Sequence, residues 1–482
     1  MTQEQALSIL KTGTNVFLTG EPGSGKTHTV NTYVAYLRGR GIEPTITAST
    51  GIAATHIGGM TIHSWTGIGI RTELTVADLN KIATNKYVVK RIRAARVLII
   101  DEVSMLTPEL LAMVETVCRK IRQLSDPFGG LQVVLVGDFF QLPPISRQFT
   151  KMSNQNALFD SPSLRFAYES PIWVKANLAV CYLTEQHRQD DPIFLSVLTA
   201  IRRNCFESTH LRHLETRKME MNATPENATK LFSHNADVDR VNEAMLTKIV
   251  GRPAIFTTTG YGADALVDAL KRGCLSPEKL SLKLKAVVMF TKNNPTAGFV
   301  NGTVGVVHEF DKNFGFPIIK LLDGRKILTT PMDWTIEENG EIRASITQVP
   351  LRLAWAITVH KSQGMSLDEA VMDLREVFEY GQGYVALSRV RRLAGLFLLG
   401  WNERAFQVHP DVLIKDNEFR EASENSEQTL AMISSEDLLI RYRNFVVRLG
   451  GNTDSIIIKP LLKPKPKLRK KHSPTDGKKR HY

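Results

Sequence analysis

Long apolar runs are missing from this chain of 482 residues. No stretch approaches the roughly 20 apolar residues needed to cross a bilayer, so no membrane partner is expected. Cysteine is scarce. Cys118, Cys181, Cys205 and Cys274 are too widely spaced for a CxxC metal motif or a dense disulfide framework. They read as inert, buried thiols in a reducing compartment. The opening segment, Met1-Thr2-Gln3-Glu4-Gln5, has neither a basic flank nor an apolar signal core. A cytoplasmic location is therefore expected. Self-similarity at a period of ~20–50 residues is also missing, which excludes solenoids and propellers.

What remains is ordinary globular composition, 43% hydrophobic and 23% charged, in a chain long enough for roughly three domains. Charge is unevenly placed. The formal net charge is +12, and residues 459–482 alone hold ten Lys/Arg against one Asp, or +9, leaving +3 for the rest. Such a segment reads as a basic disordered tail that favours polyanions, or as a solvated end that only adds solubility.

Short β-branched runs alternate with helix-like stretches, the pattern of a parallel α/β sheet. The runs are Asn15–Thr19, Thr45–Ser49, Val97–Ile100, Val133–Val136, Val371–Met372 and Leu396–Leu399. Ligands of open α/β sheets bind beyond the carboxyl ends of strands, which is where the chemistry is expected. Between about 286 and 350 the texture changes. Strands at Val304–Val307, Pro317–Leu321, Lys326–Thr330 and Ala344–Val349 alternate with turn signals, predicting a β module inserted in the second α/β unit. Lys415–Gln428 reads as a loop or frayed helix. After it, Ser434 and Asp437 are spaced as a capping box for a helix with Leu438, Leu439, Tyr442, Phe445, Val446 and Leu449 on one face.

Gly20-Glu21-Pro22-Gly23-Ser24-Gly25-Lys26-Thr27 matches G-x-x-x-x-G-K-[ST], between a strand and a helical segment. Glycines let backbone N–H groups surround the β-phosphate of ATP, Lys26 reaches the β- and γ-phosphates, and Thr27 coordinates Mg²⁺. Asp101-Glu102 ends the run Val97–Ile100. Asp101 is expected to hold Mg²⁺ through water and Glu102 to deprotonate the attacking water. Gln141, in the segment Gly137-Asp138-Phe139-Phe140-Gln141-Leu142-Pro143-Pro144, and Arg188, in Gln186-His187-Arg188-Gln189, are candidate γ-phosphate sensors. As an arginine finger, Arg188 must approach a phosphate; its alternative is a surface ion pair.

With these residues in this order, the chain resembles the petite-integration-frequency (PIF) family of superfamily 1 DNA helicases, relatives of the RecD helicases. The likeness extends over about residues 1–402. Ser49-Thr50-Gly51-Ile52-Ala53-Ala54 and Gly59-Met60-Thr61-Ile62-His63-Ser64 match its two DNA-contacting motifs, and Phe128-Gly129-Gly130 its own signature. Ala354 to Gly364 and Gly383 to Val390 match its last two motifs. At position 234, where the family more often has Thr before Asn, this chain has His234.

The resemblance implies two RecA-like P-loop domains, with a small SH3-like β insertion in the second and a small wedge element in the first. The expected boundaries are 1–184 for the first domain, with the wedge at about 66–96, then 185–303 and 350–402 for the second. The insertion takes 304–349, a C-terminal helical segment 403–458, and the basic tail 459–482. With the motif order starting almost at Gln5, no preceding nuclease or relaxase domain is expected. By the resemblance, Gln5 reads adenine and Arg389 is a second arginine finger. Thr50, His63, Thr358, His360 and Ser362 touch the strand. The implied activity is ATP-dependent 5′→3′ translocation on single-stranded DNA and duplex unwinding by a monomer, associated with the nucleoid if the source is bacterial. Duplex junctions, G-quadruplexes and R-loops are compatible substrates. The alternatives are an ATP-switched single-strand-binding protein that does not unwind, and an RNA helicase. Trp65 and Trp355 are either base-stacking platforms or core.

Overall fold

The computed structural model describes residues 1–50, 53–54, 59–69, 71–144, 166–187, 191–225, 228–299, 301–321, 323–338 and 341–453. The basic segment 459–482 lies outside the described residues. Its first unit is a six-stranded parallel sheet of β1 (Val16–Gly20), β2 (Thr45–Ala48), β3 (Met60–Thr61), β4 (Val97–Asp101), β5 (Gln132–Val136) and β6 (Ala179–Leu183), ordered β3-β2-β4-β5-β1-β6. β1 and β5 are buried at every residue. That is why these strands read as continuous apolar runs rather than alternating ones.

The period-2 alternation of strand side chains sorts them onto two cores. Val16, Leu18, Val97, Ile99, Val134 and Val136 face one side, packed with α1 (Gln3–Lys11), α2 (Lys26–Arg38) and the helix Ser435–Arg448. Phe17, Leu98, Ile100, Val133 and Leu135 face the other, together with the helix Pro108–Arg122. The stretch expected as a wedge holds two capped helices, Val76–Thr84 and Lys86–Ala94, with only Ile82, Val88 and Ile92 buried.

A second parallel sheet has the order 356–358, 229–232, 370–374, 396–401. The strands between its first and second members, from Ala254 to Leu353, all pair antiparallel, in three small sheets. The inserted β region is thus wider than the expected 304–349. The strand Thr259–Gly262 escaped notice because two of its four residues are glycine and all four are exposed.

Lys415–Gln428 is neither loop nor frayed end: it lies inside a continuous 22-residue helix, Pro410–Ala431. The inward stripe of this helix is Val412, Asp416, Phe419 and Ser423, so two polar residues dilute its apolar period. Ser423 Oγ accepts the Tyr182 N–H at 3.0 Å and Phe419 meets Phe17 ring to ring at 4.9 Å. The chain therefore returns to close the first unit after building the second. Ser434 caps the last helix as expected and Phe445 and Val446 are buried, whereas Leu439 is exposed. Trp65 and Trp355 are core, at 2% and 3% exposure. Cys118 and Cys181 are buried, but Cys205 is exposed and Cys274 half-buried, so the expectation of four inert buried thiols holds for two. Among the described residues no helix is long and apolar enough to cross a membrane.

Candidate active site

β1 runs directly into the loop Gly20–Thr27, and α2 begins within it. Gly20 and Gly25 have φ of 142° and 88°, left-handed backbone that glycine alone adopts freely. A side chain at Gly20 would also strike the Leu183 carbonyl and Ser24 Oγ. Gly25 supplies no side-chain cap to α2, which leaves first-turn N–H groups and the helix dipole facing an anion. Ser24 Oγ is buried without a hydrogen-bond partner among the described residues. Lys26 Nζ folds over the loop, donating to the carbonyls of Gly20 at 2.7 Å and Glu21 at 3.1 Å. Glycine conformation, orphaned hydroxyl and overlying ammonium together fit a phosphate chain.

β4 ends at Asp101, and the next residue, Glu102, turns left-handed at φ 54°. Asp101 Oδ1 accepts the Glu102 N–H at 2.8 Å. Burial raises both carboxyls above their ordinary range. For Glu102, burial and then the Asp101 charge push the value up to about 7, while Lys26 and Arg389 pull it back. The two oxygen-donor groups beside the P-loop, the Asp101 carboxylate and the Thr27 hydroxyl, suit a hard divalent cation. Two protein oxygens are what Mg²⁺ takes when phosphates and water complete its shell. Among the described residues no cluster of three His, Cys, Asp or Glu could hold a metal unaided.

A cleft of about 910 Å³ brings the two units together. Gly23, Lys26, Thr27, Glu102 and Gln141 line it from the first, and Gly364, Ser366, Arg389, Arg391 and Arg392 from the second. Gln141 Nε2 donates to Asp138 Oδ2 at 3.3 Å, so the candidate sensor is held by a neighbour. Arg389 is buried at 1% exposure, its Nε donating to the Val385 carbonyl at 2.8 Å and its Nη2 to Ser388 Oγ at 2.8 Å. Gln363 Nε2 donates to Glu102 Oε2 at 2.9 Å, a direct bridge between the units at the candidate base.

Sequence reasoning missed Gln363, Arg391 and Arg392. The run Arg389-Val390-Arg391-Arg392 was itself a signal, whereas nothing local marks Gln363 as facing Glu102. Arg188 lies outside the described residues; before it, the His187 N–H donates to the Gly23 carbonyl at 3.0 Å and Gln186 Nε2 to Glu21 Oε2 at 3.0 Å. Gln5 does not reach the cleft. Its Nε2 donates to Glu427 at 2.7 Å and its Oε1 accepts the Thr2 N–H at 2.8 Å, closing the capping box of α1. Gln3 occupies the P-loop flank instead, with Nε2 3.3 Å from the Ser24 carbonyl and 2.7 Å from His187 Nε2.

The strand-contacting candidates lie away from this cleft. Thr50 and His63 follow β2 and β3, the far edge of the first sheet from β1. Burial lowers the His63 imidazole below its ordinary value. His360 follows the edge strand Ala356–Thr358 of the second sheet, its ring 3.7 Å from Glu379. Thr358 and Ser362 are both buried, at 2% and 0% exposure. Thr358 Oγ1 accepts the Lys361 N–H at 3.3 Å and Ser362 Oγ donates to the Val359 carbonyl at 2.7 Å. They hold the turn that presents His360. His234 is exposed and its ring stacks on Phe378 at 5.4 Å.

A family model described as PIF1-like helicase matches residues 3–207. The ATP-dependent DNA helicase Pif1 of Psychrobacter sp. is 39% identical over 98% of this chain and 79% of its own length. The crystal structure of Bacteroides sp Pif1 in complex with ADP-AlF4 superposes with a TM-score of 0.74 at 29% identity, over 87% of this chain and 96% of that one. Bacteroides Pif1 bound to ssDNA gives 0.60 at 30% identity, over 88% and 97%. The chain belongs to the PIF1-like helicase family.

Proposed function

We propose that the chain is an ATP-dependent DNA helicase that moves 5′→3′ along single-stranded DNA and separates duplex ahead of it. The observation that carries this reading is the split cleft, with Lys26, Thr27, Glu102 and Gln141 on one unit and Arg389 on the other. Charge develops on the γ-phosphate during hydrolysis, and Lys26 is placed to neutralise it. Glu102 accepts the proton of the attacking water, and the Gln141 amide and the Arg389 guanidinium sense the phosphate from opposite sides. Mg²⁺, when bound, neutralises phosphate charge, and Thr27 and Asp101 would hold it.

Because the cleft is shared, ATP contacts both units only when they close, and product loses the contact to the second. That differential is what a ligand needs to drive movement. The strand candidates Thr50, His63 and His360 stand on both units, so closing and opening would become stepping. Hydroxyl and imidazole groups grip phosphates without reading bases, which suits sequence-tolerant binding. The two parallel sheets are the RecA-like domains of this reading. The helices Val76–Thr84 and Lys86–Ala94 are the wedge, and the antiparallel region carries the SH3-like module. One chain completes the cleft, which supports a monomer as the working unit. Duplex junctions, G-quadruplexes and R-loops all set single-stranded DNA beside a structured element, and fall within this substrate class.

The test is ATP hydrolysis with and without single-stranded DNA. We expect strong stimulation by the strand and a loss of about 10³-fold in Arg389→Ala, the size typical of finger residues. Normal turnover in that variant would make Arg389 a structural residue and dismantle the split-site mechanism.

A further inference from the structure

Arg202 ends the helix Pro192–Arg202 and is a fully enclosed cation, at 1% exposure. Its Nη1 donates to both carboxylate oxygens of Asp138 at 2.9 Å and to Tyr384 Oη at 3.2 Å. Its Nη2 donates to Tyr182 Oη at 2.9 Å and lies 3.6 Å from the Asp416 carboxylate. The guanidinium carbon is 4.1 Å from the centre of the Phe140 ring. These partners come from the end of β5, from β6, from the second unit and from the helix Pro410–Ala431. Only a planar fork of donors reaches several of them at once; a lysine ammonium is a single point.

Two of the partners lead into the cleft. Asp138 Oδ2 also accepts Gln141 Nε2 at 3.3 Å. Tyr384 belongs to the helix Gln382–Leu387, whose Val385 carbonyl accepts Arg389 Nε at 2.8 Å. A second contact joins the same two segments by backbone alone. Gly381 has φ 76°, and a Cβ there would stand 2.9 Å from the Gln141 carbonyl oxygen and closer still to that of Phe140. The loop bearing Gln141 and the helix leading to Arg389 are thus pressed together, with Arg202 as the charged tie beneath.

We propose that Arg202 is a positioning residue: through Asp138 and Tyr384 it sets Gln141 and Arg389 in register, so the γ-phosphate is sensed by both units as one. The proposal rests on reading the cleft as an ATP site. Tyr384→Phe deletes one hydroxyl and keeps the ring, and Arg202→Lys keeps the charge and loses the fork. The experiment is calorimetric binding of ADP and of ADP with aluminium fluoride to the full chain, in the presence of Mg²⁺. It is run on wild type, Tyr384→Phe, Arg202→Lys, Gln141→Ala and the double variant Tyr384→Phe/Gln141→Ala.

We expect ADP affinity to stay within twofold in Tyr384→Phe, showing an intact P-loop. Its preference for the fluoride complex should fall by about tenfold, less than the roughly hundredfold that an ångström of misplacement in a catalytic site costs. The double variant should lose less than the two single losses combined, since residues acting as a unit are non-additive. An unchanged preference in Tyr384→Phe, or effects that add in the double variant, would overturn the proposal. These ratios need no unwinding, so failure of the wild-type chain to unwind DNA would strike the helicase reading separately.

Discussion

Replacing Asp138 by Asn tests the buried network on which the sensor loop stands. The Asp138 side chain has 0% exposure, and both its oxygens are 2.9 Å from Arg202 Nη1. It also accepts the Phe140 N–H at 3.2 Å. The amide is nearly isosteric but leaves the Arg202 charge facing only Asp416, 3.6 Å away. Breaking one side of a buried pair costs about 3–5 kcal/mol. At roughly 2–4 °C per kcal/mol for a unit of this size, the melting midpoint of the first unit should drop by about 10 °C at pH 7. The pH dependence has a definite sign. Burial raises the Asp138 carboxyl, but the Arg202 charge and the hydrogen bonds outweigh it and hold the group below its ordinary 3.8. A depressed folded value means the carboxylate stabilises the fold above the unfolded value and loses that contribution as pH falls through the folded one. The deficit of Asp138→Asn should therefore be constant from pH 7 to about pH 5 and shrink below 3.8. Calorimetric melts of both proteins across that range supply the measurement. A deficit below 1 °C at pH 7, or one that grows on acidification, would refute the reasoning.

Lys26→Ala should abolish ATP hydrolysis while leaving the melting temperature and most single-strand binding intact, because Nζ donates to the P-loop carbonyls of Gly20 and Glu21 at the nucleotide cleft, away from the strand candidates; steady-state turnover and strand-binding titrations check it. Glu102→Gln should lower kcat by roughly 10²-fold or more, the usual size of a lost general base, with nucleotide affinity little changed; weaker binding at unchanged kcat would mean the two carboxylate roles are exchanged. Deleting residues 459–482, which carry +9 of the formal +12, should weaken DNA binding most at low salt and flatten log K against log[salt]; an unchanged slope would reduce that segment to a solubility element.

The first unit was legible because its chemistry sits in contiguous segments. The run Val97–Ile100 followed by Asp101-Glu102, and the loop Gly20–Thr27 between a strand and a helix, declare both structure and role within a few residues of each other. What escaped is non-local. Arg202 sits in an ordinary-looking helix, and its partners lie 64 residues upstream and 182 downstream, so no window of sequence could pair them. The helix Pro410–Ala431 hid for a related reason: Asp416 and Ser423 face inward to satisfy Tyr182 and Arg202, which masks the period that marks a buried face. Thr358 and Ser362 show the converse. Their motif was recognised, but the hydroxyls are spent on local turn geometry, and only packing could reveal that.

In the proposed mechanism a cleft shared by two α/β units converts ATP hydrolysis into directed movement along DNA. The most direct test is unwinding of matched duplexes that differ only in carrying a 5′ or a 3′ single-stranded tail, with ATP and Mg²⁺, by the wild-type chain and by Arg389→Ala. Strand separation is expected for the 5′-tailed duplex alone, and is expected to be lost in Arg389→Ala. Efficient unwinding from the 3′ tail, or unwinding that survives Arg389→Ala, would contradict it.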